Sequence, residues 1–296
     1  MIERKGARTA MIVTTGFRDS VEMGYEHRFD QYDINIDKPR PLVPRYLRLP
    51  VTERCNAQGE VLLKLDENSV RDLVPVLSKN QVESVAIVLL HAYANPIHER
   101  RIRDILSEEL PNIWLSLSSD ICPEIREYER MSTTSANAYV QPLMASYLAD
   151  LDKKLRSEGA TCPLYLMTSG GGLTTVQTAR ANPIRLMESG PAGGAILAGR
   201  IALECGLDKV LSYDMGGTTA KICLIDEGKP QTSRTFEVDR QYRFTKGSGL
   251  PLRIPVIEMV EIGAGGGSIA QIDNLNRVQV GPERAGSEPG PACYGR

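Results

Sequence analysis

The residues best suited to chemistry lie between Val210 and Ile225, where an aspartate and two glycines separate two apolar runs. Asp214 ends the first run, and Met-Gly-Gly-Thr-Thr follows it. We expect a β-hairpin here, because glycine reaches backbone angles that are closed to other residues. The amides of its turn would then point into one concavity that suits a phosphate group, although an ordinary tight hairpin is the alternative. The predicted phosphate-binding residues are Gly216, Gly217, Thr218 and Thr219.

Asp214 has its own predicted role at the mouth of this turn. A carboxylate repels a bound phosphate unless a cation lies between them, so Asp214 would orient a Mg²⁺ ion through its water shell. This would make Asp214 both the catalytic residue and the metal-orienting residue of the site.

A second glycine-rich loop follows the strand candidate at 256–262, with four glycines in five residues between two apolar runs. Bare backbone of this kind allows a flat ligand to lie against it, and a merely flexible loop is the alternative. The predicted ligand-binding residues of this loop are Gly263, Gly265, Gly266, Gly267 and Ser268.

Three weaker patterns accompany these loops. The corner at 168–172 follows a strand candidate, and open α/β sheets place ligands at such points. The segment at 188–194 leads into a helix whose small residues favour close packing, while its amino end is a second potential anion site. His91, His98 and Glu99 are suitable metal ligands, but no cysteine or third histidine is nearby in sequence, so we do not expect a metal there.

Composition excludes several classes of protein. The 296 residues are 42% hydrophobic with a net charge of -2, which fits a globular chain and gives no nucleic-acid footprint. The six cysteines are scattered without a C-x-x-C pair, as in reduced cytoplasmic proteins. No apolar stretch approaches transmembrane length, and the charged start is unlike a signal peptide. We therefore expect a soluble cytoplasmic protein that binds neither nucleic acid nor membrane.

The elements that position these loops alternate between strand and helix. This alternation predicts a mainly parallel sheet in the first part of the chain. The predicted elements are strands at 7–14, 46–53, 60–65, 82–90 and 113–117, with helices at 66–77 and 95–110.

A long helical stretch at 121–157 follows, and Pro142 is expected to interrupt it. Its charge run at 124–130 favours a solvated helix face, with a position beside the active cleft as the alternative. We place a domain boundary in this stretch, between residues 1–130 and 131–296. The carboxyl end from Val280 onward reads as a loop.

Ordered sequence blocks along nearly all of the chain resemble the hydantoinase A/oxoprolinase family, which includes nucleotide-binding subunits of acetone and acetophenone carboxylases. The blocks are I-E-R-K-G-A-R-T-A, G-F-R-D, L-H-A-Y-A-N-P-I-H-E, P-E-I-R-E-Y-E-R-M-S-T-T, E-S-G-P-A-G-G, D-M-G-G-T-T, E-I-G-A-G-G-G-S-I-A and A-G-S-E-P-G-P-A-C-Y-G-R. The resemblance implies an α/β, two-lobed actin-like ATPase fold of the ribonuclease-H-like type. It also implies that 214–219 is the second phosphate loop and 263–268 the adenosine loop, with ATP and Mg²⁺ as cofactors.

The chain departs from the family pattern at three places. The family's first phosphate loop, another Asp-x-Gly-Gly-Thr, is expected upstream of Met1, and the family pattern continues past Arg296. Lys221 replaces a carboxylate after the second loop, which puts a second Mg²⁺ ligand in doubt and suggests a phosphate contact instead. The block at 169–172 lacks an amide side chain that the family has.

The resemblance implies an ATP-dependent hydrolase that phosphorylates a cyclic amide or imide, such as a hydantoin or oxoproline, for ring opening. A carboxylase acting on a ketone enolate or bicarbonate is the alternative, and an inactive fragment that binds nucleotide weakly is a third. The family also implies a hydantoinase B-like second subunit. Without the first phosphate loop, we expect negligible ATPase activity from the 296 residues alone.

Overall fold

The structure is a computed structural model. It describes residues 1, 3–240, 242, 245–286, 288, 290–291 and 295. Cys293 and half of the final motif that resembles the family lie outside the described residues.

The described part of the chain mixes strands and helices as far as residue 204 and contains strands joined by turns and loops after it. The strands are β1 (Thr9–Thr14), β2 (Arg48–Val51), β3 (Arg54–Cys55), β4 (Val61–Leu63), β5 (Ser84–Val88), β6 (Trp114–Leu117), β7 (Tyr165–Met167), β8 (Leu173–Thr175), β9 (Lys209–Met215), β10 (Ala220–Asp226), β11 (Lys229–Pro230), β12 (Thr232–Ser233), β13 (Phe236–Val238), β14 (Leu250–Leu252), β15 (Val256–Ile257), β16 (Val260–Ile262), β17 (Ser268–Ile272) and β18 (Val278–Arg284). The helices are α1 (Ser20–Met23), α2 (Glu67–Arg71), α3 (Val74–Lys79), α4 (Ile97–Glu109), α5 (Ser118–Ile121), α6 (Glu127–Ser157), α7 (Val176–Ala181) and α8 (Ser189–Glu204), with 3₁₀ turns at Arg45–Leu47 and Pro183–Leu186.

These elements form two compact units. The first unit comprises Met1–Leu166, Leu173–Met187 and Arg234–Ile254, and the second comprises Met167–Gly172, Glu188–Ser233 and Pro255–Arg296. The division predicted at residue 130 falls inside α6, and all of α6 lies in the first unit. No described helix is both long and apolar enough to cross a membrane.

The first unit is built on a four-stranded sheet in the order β2-β1-β5-β6, and every neighbouring pair is parallel, as predicted. The two central strands, β1 and β5, are buried along their whole length, which explains their continuous apolar sequences. Helices α4 and α6 pack against β5 and β6. The larger hydrophobic core therefore lies around this sheet.

Two helix predictions in this unit are wrong for reasons that involve proline. The single helix predicted at 66–77 is two helices, α2 and α3, because Pro75 has no amide to continue the hydrogen bonding of α2. By contrast, α6 continues through Pro142 without interruption. Ala138, Ala145 and Leu148 are buried around that position, so packing compensates for the one missing hydrogen bond.

The charge run at 124–130 is not simply a solvated face, because Glu129 and Arg130 are buried. Arg253 Nη2 donates to Glu129 Oε1 over 3.0 Å, and both residues belong to the first unit. Arg130 hydrogen-bonds the backbone oxygen of Leu89 and lies 3.8 Å from a Glu99 oxygen. The predicted interpretation fails here because the compensating charges come from elements distant in sequence.

The second unit is built on an antiparallel sheet in which β10 pairs with β9, β11 and β16. One face packs on α8, where Ala192 and Ala195 contact Cys223 and Ile225. The strand predicted at 256–262 is split between β15, which pairs with β12, and β16, which pairs with β10.

The loop predicted from Val280 onward is partly wrong, because β18 pairs with β17 as far as Arg284. The ladder is irregular between Ser268 and Ala270, and this irregularity accommodates Gly281 and Pro282 within the strand.

Candidate functional site

The hairpin predicted around Asp214 is confirmed as a structural element. Strands β9 and β10 are antiparallel, with Met215 opposite Ala220. The amide of Gly216 donates to the oxygen of Thr219 over 2.9 Å and closes the turn. The predicted reason for a glycine is wrong, however, because Gly216 does not adopt a left-handed φ. Close approach of a second piece of backbone explains this turn better.

That second piece is the glycine-rich loop at 263–268. The amide of Gly266 donates to Gly216 O over 3.0 Å, and the amide of Gly267 donates to Gly217 O over 2.9 Å. A Cβ on Gly265 would lie 2.6 Å from Gly216 O and 2.7 Å from the amide nitrogen of Thr218. Such contacts leave no room for any side chain at Gly265, so the two predicted loops form one continuous backbone surface.

The hydrogen bonds between the loops also show which amides remain open. The amides of Gly265, Gly266 and Gly267 are all occupied, the first by Ser268 Oγ at 3.0 Å. In the described chain, no hydrogen-bond partner is found for the amides of Gly217, Thr218 and Thr219. Gly217 and Thr218 are exposed. The donors suited to an anion are therefore at the hairpin tip, against which Gly265, Gly266 and Gly267 pack. Binding of a ligand by Gly263, Gly265, Gly266, Gly267 and Ser268 stays a prediction.

Charged side chains flank this tip on the sheet face that carries α8. Lys221 of β10 lies opposite Asp214 of β9 and opposite Glu261 of β16. The Lys221 ammonium hydrogen-bonds the carboxylate of Glu188, which immediately precedes α8. It also lies 3.7 Å from Glu261 Oε1. The structure therefore gives Lys221 two carboxylate partners, and its predicted contact with a phosphate stays a prediction.

Asp214 is exposed, and no ion pair joins its carboxylate to any residue in the described ranges. Together with Glu188 and Glu261 it makes three carboxylates around one ammonium, so this corner of the sheet is net negative. A phosphate group at the hairpin tip would be repelled unless a divalent cation neutralised the carboxylates. Exposed carboxylate oxygens are the ligands that Mg²⁺ accepts directly or through water, so Asp214 fits its predicted part chemically.

Close packing was predicted for the segment that leads into α8, with an anion site at its amino end as a second possibility. The glycines of α8 differ in whether packing requires them. A Cβ on Gly199 would lie 2.5 Å from Gly228 O, so that glycine is required for packing. Gly190 and Gly194 instead have nothing within 4 Å of an added Cβ. Glu188 adopts a left-handed conformation, with φ of 56°, which directs the helix start beside Lys221. An anion site at this helix end stays a prediction.

The corner at 168–172 is a closed turn between β7 and β8, not the edge of the parallel sheet. Thr168 N donates to Gly172 O over 2.8 Å, and Gly171 has a φ of +84°. Ile257 N donates to the oxygen of Ser169 over 2.8 Å, so this backbone serves to hold β15. The sheet-edge reason for expecting a ligand there no longer applies.

The histidine residues considered as metal ligands are placed separately. His91 Nδ1 lies 3.2 Å from the hydroxyl of Tyr93. Glu99 accepts hydrogen bonds from the amides of Leu89 and Ser119, both at 2.9 Å. Burial raises the pKa of the Glu99 carboxyl above its ordinary value. His98 Nδ1 instead lies 2.7 Å from Oε2 of Glu53.

Sequence reasoning missed Glu188 and Glu261 as neighbours of the candidate site. Glu261 could have been found from register, because it lies in a strand candidate that could extend the hairpin sheet. Glu188 had no comparable signal, since it is 33 residues from its partner Lys221.

Two protein-family models match the chain. The hydantoinase/oxoprolinase model matches residues 130–296, and the hydantoinase/oxoprolinase N-terminal region matches residues 1–110. An uncharacterized protein of Methanocaldococcus jannaschii is 40% identical over 292 residues, covering 98% of this chain and 43% of that protein. The caprolactamase subunit alpha of Pseudomonas jessenii is 35% identical over 298 residues, which cover 100% of this chain and 42% of that protein. The 5-oxoprolinase of Saccharomyces cerevisiae is 30% identical over 321 residues, which cover 99% of this chain and 24% of that protein. The chain thus spans less than half the length of these relatives.

Two solved structures are similar over almost the whole chain. The ATP-dependent caprolactamase from Pseudomonas jessenii has a TM-score of 0.82 and 34% identity, covering 99% of this chain and 42% of that one. Nucleotide-free acetone carboxylase has a TM-score of 0.76 and 30% identity, and the match covers 96% of this chain and 40% of that one. This similarity confirms the predicted α/β fold of the actin-like ATPase type. Because the first family model alone covers more than half of the residues, the chain belongs to the hydantoinase/oxoprolinase family.

Proposed function

We propose that this chain supplies a nucleotide-binding part of an ATP-dependent enzyme that opens a cyclic amide or imide. The observation that carries the proposal is the hairpin tip, where the amides of Gly217, Thr218 and Thr219 are open in the described chain and Asp214, near the end of β9, is exposed. Successive main-chain amides bind phosphate oxygens, and this arrangement needs no side chain to do so. Asp214 would orient the water shell of Mg²⁺, which neutralises charge on the phosphates when it is bound.

The chemistry explains why ATP is needed. A cyclic amide is a poor electrophile, and transfer of the terminal phosphoryl group to its carbonyl oxygen creates a leaving group, with ADP as the other product. Water then adds at the carbonyl carbon, and cleavage of the C–N bond, with a proton taken up by the nitrogen, opens the ring to an acyl phosphate. A second water hydrolyses this acyl phosphate to the carboxylate and inorganic phosphate. The residues of this chain would contribute mainly by positioning the nucleotide, since phosphoryl transfer depends chiefly on alignment and charge neutralisation.

We propose a cyclic amide rather than a ketone as the substrate, and a small difference in similarity supports this choice. The caprolactamase structure is more similar to this chain than acetone carboxylase is, in both TM-score (0.82 against 0.76) and identity (34% against 30%). The ketone-activating carboxylase stays the second candidate, because both reactions use the same nucleotide apparatus. A screen of the whole protein with its proposed second subunit, scoring phosphate release with hydantoins, oxoproline, caprolactam and ketones, distinguishes the two.

The proposed partner is a hydantoinase B-like second subunit. One relative is itself named as a subunit, the caprolactamase subunit alpha. The sheet face of the second unit opposite α8 is apolar and exposed, which supports contact with further polypeptide. This apolar face consists of Leu211, Tyr213, Met215, Leu224, Val260 and Ile262, each between 43% and 62% exposed.

Asp214 provides the test of the phosphate site. Asp214→Asn should weaken binding of ATP with Mg²⁺ by about 10- to 100-fold, the worth of one charge-assisted contact. The same variant should strengthen binding of ATP without Mg²⁺, because a repelling carboxylate has been removed. Isothermal titration of the purified chain measures both.

Asp226→Asn is the matched control, since Asp226 is an exposed carboxylate at the opposite end of β10. It should change neither affinity. Equal effects of the two substitutions, or an Asp214 effect of the same sign with and without Mg²⁺, would overturn the assignment of Asp214.

A further inference from the structure

Three buried side chains of different chemistry converge in the first unit, between β3 and the first turn of α4. Glu53, Cys55 and His98 are only 2%, 2% and 7% exposed. One ligand atom from each, a carboxylate oxygen, the thiol sulfur and a ring nitrogen, all lie within 4.8 Å of one another. In the described part of the chain this is the one such group of histidine, cysteine and acidic residues. It plays no part in the proposed nucleotide site.

The two other groups converge on the same ring nitrogen of His98. His98 Nδ1 lies 2.7 Å from Glu53 Oε2 and 3.7 Å from Cys55 Sγ. A ring nitrogen carries at most one hydrogen, so it cannot donate to both neighbours at once. An ion pair with Glu53 explains the shorter distance but gives Cys55 no reason to face the same atom. A cation between the three would satisfy all of them.

The distances are close to those that a small tetrahedral ion imposes. With bonds of about 2.0 to 2.3 Å, the ligand atoms around Zn²⁺ stand roughly 3.2 to 3.8 Å apart. The pair from His98 to Cys55 already lies in that range, and the pair from His98 to Glu53 must open by about half an ångström. A mixed nitrogen, sulfur and oxygen set suits Zn²⁺ and Co²⁺ better than Mg²⁺ or Ca²⁺, which prefer oxygen alone.

An outer hydrogen bond holds the carboxylate in the orientation that a metal needs. The hydroxyl of Thr14 donates to Glu53 Oε1. The amide of Leu90 donates to Thr14 Oγ1 over 2.9 Å, so the hydroxyl hydrogen is left for Glu53. One oxygen of Glu53 is therefore fixed, and the other, Oε2, faces His98. Metal-binding carboxylates and histidines are commonly held by such partners.

We propose that Glu53, Cys55 and His98 bind one Zn²⁺-type ion. The ion would tie the hairpin formed by β3 and β4 to the amino end of α4, and its three protein ligands would leave a fourth position for water. This proposal stands apart from the proposed ATP chemistry, because it uses none of the residues of the second unit.

Cobalt substitution tests the site directly. The purified chain is stripped with a chelator and titrated with Co²⁺, whose thiolate complexes show an intense near-ultraviolet charge-transfer band. We expect one equivalent to bind with that band, and Zn²⁺ to displace it. Cys55→Ser should abolish the band and weaken binding by about 100-fold or more, and Thr14→Val should weaken binding by about 10- to 100-fold while keeping the band.

Cys122→Ser is the matched control, because Cys122 is a second buried thiol of the same unit outside the cluster. It should leave the band and the affinity unchanged. Thermal unfolding with and without Zn²⁺ guards against misfolding, since Zn²⁺ should raise the melting temperature of the natural chain and of Cys122→Ser but not of Cys55→Ser. Absence of the band in the natural chain, or its survival in Cys55→Ser, would overturn the proposal.

Discussion

Adding a methyl group at Gly265 should separate the two loops of the candidate site. In Gly265→Ala the new Cβ would stand 2.6 Å from Gly216 O, 2.7 Å from Thr218 N and 2.8 Å from Gly217 C. All three atoms belong to backbone, so no flexible side chain can move aside. Carbon–oxygen contacts of this kind are comfortable near 3.4 Å, so the loops must part by about 0.8 Å.

The energetic cost follows from what such a shift breaks. The hydrogen bonds from Gly266 N to Gly216 O and from Gly267 N to Gly217 O would both be stretched. Each is worth about 1 kcal/mol net, and forced overpacking adds about 1 to 3 kcal/mol. We therefore expect Gly265→Ala to lower the free energy of unfolding by about 3 to 5 kcal/mol, and to weaken ATP binding because the hairpin tip is displaced.

Urea unfolding followed by circular dichroism measures the loss of stability, and Gly266→Ala is the control. A Cβ on Gly266 meets only Gly216 O, at 3.8 Å, which is an ordinary contact. That substitution should cost well under 1 kcal/mol in urea unfolding. If the two variants were equally stable, the inferred backbone contact between the loops would be refuted.

Three further predictions concern charge, thiol reactivity and surface. Lys221→Met should lower the free energy of unfolding by about 1 kcal/mol, because Glu188 and Glu261 lose a partly exposed counter-ion. Added Mg²⁺ should stabilise this variant more than the natural chain in thermal melts, and equal Mg²⁺ effects would contradict the pairing of Lys221 with Glu188 and Glu261. Burial, with a smaller contribution from Glu124, raises the pKa of the Cys122 thiol to about 11. Alkylation at pH 8 should therefore label exposed Cys162 and Cys205 long before Cys122, and mass spectrometry of peptides that found Cys122 labelled first would contradict this. Without the proposed second subunit, the exposed apolar face should make the purified chain self-associate. Leu224→Lys should then shift the chain toward monomer in size-exclusion chromatography, whereas Lys229→Leu should not, and an unchanged elution profile would refute association through this face.

The parts of the fold that the sequence predicts are those set by local pattern. The parallel sheet follows from apolar strands alternating with helices, and β1 and β5 are continuous apolar runs. The pairing of β9 with β10 follows from two largely apolar runs separated by a short turn, although the close approach of the loop at 263–268 explains the glycine at 216. In these cases residues close in sequence decide the structure, so a reading of neighbours is sufficient.

What the sequence does not reveal depends on contacts across long separations. Buried Glu129 is paired with Arg253, which is 124 residues away in sequence, and no residue near Glu129 indicates that partner. Lys221 has carboxylate partners on β16 and before α8, so its role depended on strand order. Cys55 and His98 are 43 residues apart, so their proximity cannot be predicted from neighbouring residues, and the sequence brought His98 together only with His91 and Glu99 as metal ligands to consider.

The central claim is that the hairpin tip holds the phosphates of a nucleotide, and amide resonances of the isotope-labelled chain test it most directly. Titration with ATP and Mg²⁺ should shift the amides of Gly217, Thr218 and Thr219 strongly, because phosphate oxygens would accept their hydrogens, while Mg²⁺ alone should leave them nearly unchanged. The occupied amides of Gly266 and Gly267 should move less. Shifts confined to other parts of the second unit, with the three tip amides unmoved at saturating nucleotide, would contradict the account.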